Sequence, residues 1–260
     1  IMRDFVYTNK SIEECYGCKA CEQICPKNAI TMSENEEGFQ YPHIDTSKCV
    51  DCGLCQCVCP TQMENISVLF HVTPQTVSAA WNPNLSERLE STSGGMFFLL
   101  ACQFINERGV VYGADYREDL TVFHCRFDDS EALKRARGSK YVQSRMGNIY
   151  KNVKKDLNEG RLVLFSGTPC QISALNSYLK NQEKNNLFTV DIICHGTPSA
   201  KLFDDYLKQI EKNINGKIVD FKFRDKSGGW GLKGSIIYQN KRNQLRKKLL
   251  PVQLSSYYTL

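Results

Sequence analysis

Apolar side chains recur at helical spacing over residues 94–108 (GGMFFLLACQFINER), with Phe97, Phe98, Leu100, Ala101 and Phe104 on one stripe that stops at Gly109. The period then shortens. Residues 110–116 and 120–127, rich in Val, Phe and Tyr, read as strands, and helices are expected over 130–137 and 146–158. Residues 162–166 (LVLFS) and 187–194 (LFTVDIIC) are unbroken apolar runs of the kind found in buried strands. A helix predicted over 171–180 joins them, which gives the strand–helix–strand crossover of a parallel pair. A further helix is expected over 199–214. Upstream, 39–44 reads as a short strand punctuated by Gly38 and Pro42, and 73–90, with Pro74, Asn82, Pro83 and Asn84, reads as linker.

The first 66 residues lack such periodicity and are too short for a sizeable core of their own. What they have instead is a repeat. Cys15, Cys18, Cys21 and Cys25 precede Pro26 in the spacing C-x2-C-x2-C-x3-C-P, and Cys49, Cys52, Cys55 and Cys59 precede Pro60 in the same spacing. This doubled run is the bacterial ferredoxin signature for two 4Fe–4S clusters, in which the fourth Cys of each run serves the other cluster. The expected ligand sets are therefore Cys15, Cys18, Cys21 and Cys59 for one cluster, and Cys49, Cys52, Cys55 and Cys25 for the other. Structural zinc uses two C-x2-C pairs across a longer linker, a poorer fit. Cys57 lies inside the second run but outside its pattern, where a small buried residue suffices.

Length allows one to two domains, and no apolar run reaches the 18 residues needed to span a membrane. No signal peptide is visible, and 13 cysteines in a reducing cytoplasm are expected to remain thiols rather than form a disulfide framework. Ile1 ahead of Met2 reads as one extra residue before a native start. Residues 1–70 hold five Lys and Arg against ten Asp and Glu, whereas the remainder holds 28 against 18. An acidic cluster module on a basic body implies self-complementary packing or anionic ligands for the body. Nucleic acid is not expected as a partner. The basic residues alternate with acidic ones, and the short run 241–248 (KRNQLRKK) is accounted for as a solvated face.

Three helix starts in the body are rich in small and hydroxyl residues: Ser91-Thr92-Ser93-Gly94-Gly95, Gly167-Thr168-Pro169-Cys170-Gln171, and His195-Gly196-Thr197-Pro198. In open α/β sheets ligands bind at strand ends against helix N-termini, where free N–H groups attract anions. Glycine there lets a ligand approach the backbone, and proline at the first helical position forfeits no hydrogen bond. The same residues are equally ordinary caps. Cys170 at a helix start would have a lowered thiol pKa, or be simply a turn residue. His195 is either ligand-facing or a satisfied turn histidine.

Together with residues 109–114 (GVVYGA), 138–144 (GSKYVQS), 164–175 (LFSGTPCQISAL), 191–198 (DIICHGTP), 221–229 (FKFRDKSGG) and 256–260 (SYYTL), these motifs carry a resemblance. The chain resembles the coenzyme F420 hydrogenase/dehydrogenase beta-subunit family, in the version with an N-terminal two-cluster ferredoxin domain. That resemblance implies an FAD-dependent oxidoreductase. Residues 91–95 and 167–171, with Gly196, would line the FAD, and Lys140, Cys170 and His195 would act at the flavin or the acceptor. It also implies a redox partner protein, a ferredoxin or hydrogenase-like donor, and a small-molecule electron acceptor such as F420. Family members continue into a cysteine-bearing segment, so a chain stopping at Leu260 reads as truncated.

The fold expected is α+β followed by α/β: a small two-cluster ferredoxin-like module over 1–66, a linker over 67–90, and a larger mixed α/β flavin-binding domain over 91–260. The expected activity passes electrons between the clusters and FAD, then to a two-electron acceptor. The alternative is a non-catalytic electron-transfer adaptor that docks a partner enzyme, in the setting of surface-polysaccharide synthesis that the resemblance also allows. A third reading makes the clusters mere staples of a small domain.

Overall fold

The structure, a computed structural model, describes residues 11–62, 76–231, 233–251 and 257. The expectations for 1–10, for 63–66 of the cluster module, for 67–75 of the 67–90 linker, and for most of the motif at 256–260 lie outside the described residues, while the described part of the linker contains a short helix, Leu85–Leu89. The chain is mixed α/β with a ferredoxin-like N-terminal module, and it divides into two compact units. The first takes the described residues up to Ala79 together with Met146–Ile193. The second takes Ala80–Arg145 and the described residues from Cys194 onward.

In the first unit, each cysteine run bends through two left-handed residues at equivalent places. Gly17 (φ 62°) and Lys19 (φ 64°) turn the first run, and Asp51 (φ 49°) and Gly53 (φ 73°) turn the second. Lys19 and Gly53 are also the N-caps of two short helices, α1 (Ala20–Ile24) and α2 (Leu54–Cys57), each of which carries the third cysteine of its run. Between the runs lies an antiparallel hairpin, β1 (Ile30–Glu34) and β2 (Gln40–Ile44), with Ile30 opposite Ile44. β1 was not anticipated. Ile30, Ile44 and Cys21 form the buried centre of this module, with Cys25, Met32 and Cys55 packed against it. So small a core gives little hydrophobic stabilisation, as expected of a domain held by its metal ligands.

The same unit contains the parallel pair β5 (Val163–Gly167) and β6 (Leu187–Asp191), numbered after β3 and β4 below. Around the pair are the helices Ile149–Asn158 and Pro169–Tyr178, hereafter α6 and α7. Two expectations need correction. The second helix starts at Pro169, not Gln171, because Thr168 caps it and proline is tolerated at its first position. β5 is buried throughout, but β6 is not, and Phe188, Ile192 and Ile193 are exposed. An apolar run records hydrophobicity but not whether a neighbour covers it, and β6 lies at its sheet's edge.

In the second unit, α3 (Leu85–Leu89) and α4 (Met96–Asn106) precede the antiparallel pair β3 (Val110–Tyr116) and β4 (Val122–Phe127). α5 (Ser130–Leu133) runs into a single 3-10 turn. On α4 only Phe98 and Ala101 of the expected stripe are buried, and Leu100 is 41 % exposed. α8 (Ala200–Ile214) then packs Phe203, Leu207 and Ile210 onto an antiparallel sheet, β7 (Gly216–Lys222), β8 (Lys233–Asn240) and β9 (Leu245–Pro251). This sheet was not anticipated. Phe203 meets Phe221 and Phe223 at ring-centroid distances of 5.1 and 5.2 Å, so an aromatic cluster anchors the helix to the sheet.

Candidate electron-transfer site

The αL turns wrap each cysteine run so that its first three thiols sit on one tight loop. Backbone N–H groups point at sulfur: Gly17 N donates to Cys15 Sγ at 3.4 Å, and Ala29 N to Cys25 Sγ at 3.3 Å. Burial pushes the Cys18 thiol up to about 12, and Cys59, Cys15 and Cys170 close by add to the rise. Burial likewise raises Cys21 well above its ordinary value, reinforced by Cys18, Cys15 and Cys59. Cys59, from the far end of the second run, thus belongs electrostatically with Cys15, Cys18 and Cys21. For Cys55 burial is again the largest cause, and the charged neighbours are Cys52 and Cys49. Four cysteine sulfurs so placed would repel one another as bare thiolates, and burial of Cys21 and Cys59 adds to the cost. They suit a cationic iron core, which takes them as thiolates. Among the described residues no three ligating side chains converge as a single ion would need; a cubane instead spreads its ligands over four irons. The two expected ligand sets differ in exposure: Cys21 and Cys59 of the first are buried, whereas Cys49 and Cys52 of the second are exposed.

Two residues that sequence reasoning missed tie α6 to the first loop. Gln23 Oε1 accepts from the backbone N–H of Tyr150 at 2.8 Å and of Lys151 at 3.4 Å. It stands in for a cap on a helix whose own N-cap, Asn148, makes no side-chain bond. The Tyr150 hydroxyl donates to the Cys18 carbonyl at 3.0 Å. Nothing in the sequence links positions so far apart.

Gly167-Thr168-Pro169-Cys170-Gln171 forms the start of α7, which packs against α1 and against the Pro60–Gln62 turn that follows Cys59. A capping box closes the helix start: Gln171 Oε1 accepts from Thr168 N at 3.0 Å, and Gln171 Nε2 donates to Met146 Sδ at 3.3 Å. A Cβ on Gly167 would lie 2.9 Å from Phe165 Cε1 and 3.0 Å from Gln171 Oε1, so the chain's own packing already demands glycine there. Thr168 Oγ1 and Cys170 Sγ are 3.1 Å apart.

The other expected site residues fall in the second unit. Ser91 Oγ donates to Glu87 O at 2.7 Å, and Thr92 Oγ1 accepts from Ser139 N at 2.7 Å, which brings the 91–95 segment and the Lys140 segment together. Lys226 Nζ donates to Ser93 O at 2.7 Å. A Cβ on Gly94 would lie 2.8 Å from Ala80 O, and Gly95 is left-handed at φ 73°. Lys140 Nζ donates to the Arg135 and Arg137 carbonyls at 3.1 and 3.3 Å and lies 5.2 Å from the centroid of the Tyr116 ring. Burial of this ammonium lowers it to about 8, against the pull of Asp115, although the residue as a whole keeps some exposed surface. His195 and Gly196 are exposed. The two Gly-Thr-Pro turns are not equivalent, contrary to expectation. In the second, Ser199 is the cap, accepting from Leu202 N at 3.2 Å, and Pro198 precedes it rather than opening the helix.

Two family descriptions match. Residues 14–63 match the 4Fe-4S dicluster domain, and residues 160–254 match the C terminus of the coenzyme F420 hydrogenase/dehydrogenase beta subunit. The second match spans 95 of the chain's 260 residues. Among solved structures it is similar to a chain of the xenon-derivatised F420-reducing [NiFe] hydrogenase complex from Methanosarcina barkeri, at 15 % identity and a TM-score of 0.42. That similarity covers 66 % of this chain and 59 % of the other. No curated protein matches the chain. The chain thus joins a segment similar to iron–sulfur dicluster domains to one similar to the C terminus of an oxidoreductase beta subunit. No helix of the described residues is long and apolar enough to cross a membrane.

Proposed function

We propose that the chain is an iron–sulfur flavoprotein that exchanges electrons between two 4Fe–4S clusters and FAD, and through FAD with a two-electron acceptor of the F420 class. Cys15, Cys18, Cys21 and Cys59 would hold one cluster, and Cys49, Cys52, Cys55 and Cys25 the other. The carrying observation is that the start of α7 lies beside the first ligand set: Cys170 contributes to the rise of Cys18, and α7 packs on the turn after Cys59. FAD bound at residues 167–171 would therefore lie close to a cluster, and would supply the conversion between single electrons and a hydride equivalent. Thr168 N is engaged by Gln171 and Thr168 Oγ1 lies 3.1 Å from Cys170 Sγ, so the flavin would meet this turn at the exposed Pro169 and the half-buried Cys170. Ser91 to Gly95, Lys140, His195 and Gly196 remain candidates of the second unit for the flavin or the acceptor. Lys140, whose ammonium burial lowers to about 8, would be suited to exchange a proton near neutral pH. The exposed Cys49 and Cys52 side would receive a redox partner protein.

FAD titration of anaerobically prepared wild type and Cys170→Ala tests the reading. Tight binding weakened by about tenfold or more in the variant, with iron content unchanged, is expected. Equal affinity for both would remove α7 from the flavin site. One observation favours the non-catalytic adaptor: Gly167, Gly94 and Gln171 are all explained by the chain's own packing. That reading predicts no FAD binding at all.

A further inference from the structure

The Gln23 side chain is 3 % exposed, and its amide has a fixed orientation, because Oε1 is the atom that two backbone N–H groups of α6 reach. Turning the amide over would set an NH2 against two donors. Nε2 is then a buried donor for which the described residues supply no acceptor. Buried donors rarely stay unmatched, and an orphan of this kind points to a group beyond the polypeptide. Gln23 lies two residues after Cys21 and two before Cys25, one from each ligand set. The residue it caps, Tyr150, bonds the Cys18 carbonyl and feels Cys18, Cys170 and Cys21 electrostatically.

We infer that Gln23 Nε2 donates a hydrogen bond to a sulfur of the cluster held by Cys15, Cys18, Cys21 and Cys59, and so raises that cluster's reduction potential. The inference rests on the cluster assignment above. A sulfur carries more negative charge in the reduced cluster and is then the better acceptor, so a donor favours reduction. Gln23 is a positioning residue as well, since the same amide holds α6 by its oxygen.

Two variants test it on the cluster-loaded full chain. Gln23→Met removes the donor at similar length, and should disfavour reduction of one cluster about tenfold, or about 59 mV for one electron in an EPR-monitored titration, while the other cluster keeps its potential. Gln23→Glu keeps the oxygen that α6 needs. With glutamine side-chain 15N labelling, a nitrogen coupling on the reduced cluster of wild type should vanish in this variant. Unshifted potentials in Gln23→Met, or a coupling absent from wild type or persisting in Gln23→Glu, would mean that the donor meets buried water and would overturn the inference. Iron and sulfide counts on the same samples separate this from failure of the assignment, because a missing first cluster would refute the ligand set itself.

Discussion

The Tyr150 hydroxyl donates to the carbonyl oxygen of Cys18 at 3.0 Å, across 132 residues of sequence. Tyr150 is fully buried, and its ring tilts against Phe165 and Tyr178 at centroid distances of 6.4 and 6.0 Å. The first cluster loop is thereby fastened to the same aromatic core that supports β5 and α7.

Tyr150→Phe should keep that core and lose only the bond to Cys18. The expected loss is about 1–3 kcal/mol of stability, since the partly buried carbonyl is left without its donor. Chemical denaturation should show this loss, together with faster release of iron on exposure to a chelator. Unchanged iron release would mean that the bond does not hold the loop.

Cys59→Ala should damage the cluster of Cys15, Cys18 and Cys21, and leave that of Cys49, Cys52, Cys55 and Cys25 in place. Iron counting with EPR of each single variant reads this directly. Loss of the cluster of its own run instead would exclude the crossed ligand sets.

The clearest features in the sequence were those fixed by covalent spacing. Two C-x2-C-x2-C-x3-C-P runs need no long-range information, and the αL turns at Lys19 and Gly53 follow from wrapping three thiols around one centre. Local periodicity likewise marked β3, β5, α6 and α8. Features that depend on distant partners were hidden. Gln23 reads as a polar residue between cysteines until α6 is placed over it. Gly167 reads as room for a ligand, yet Phe165 and Gln171 fill that room. LFTVDIIC reads as buried, yet Ile193 is 97 % exposed, because hydrophobicity alone does not say which strand becomes an edge. The sheet β7–β9 escaped notice because its last strand, Leu245–Pro251, carries three consecutive charges and is exposed except at Leu250.

Asp225 should contribute to the acid sensitivity of the second unit. Burial alone would raise its carboxyl, but bonds from Lys247, Ser227 and Ser235 outweigh this and hold it well below the usual carboxylate range. Its side chain is 4 % exposed, 2.8 Å from Lys247 Nζ and 2.5 Å from Ser235 Oγ. A depressed folded-state pKa means that the stabilisation is complete above the unfolded value, about 3.9, and is lost as pH falls through the folded value. Asp225→Asn should lower stability by about 1–3 kcal/mol near neutral pH, and should flatten the fall in thermal midpoint below about pH 4. A variant with the same acid profile as wild type would assign that fall to other carboxylates.

Gly167→Val should lower the thermal midpoint through collision with Phe165 and Gln171, whether or not FAD binds. Gln171→Leu isolates the cap and should cost about 1 kcal/mol with FAD affinity retained. If Gln171→Leu abolishes FAD binding at unchanged stability, the amide is a flavin ligand and not only a cap.

Iron, acid-labile sulfide and flavin measured per chain, on full-length protein purified without oxygen and incubated with FAD, test the central claim most directly. Two 4Fe–4S clusters with one retained FAD are predicted, the flavin becoming reduced once the clusters are. Two clusters with no retained flavin would contradict the account and leave an electron-transfer adaptor.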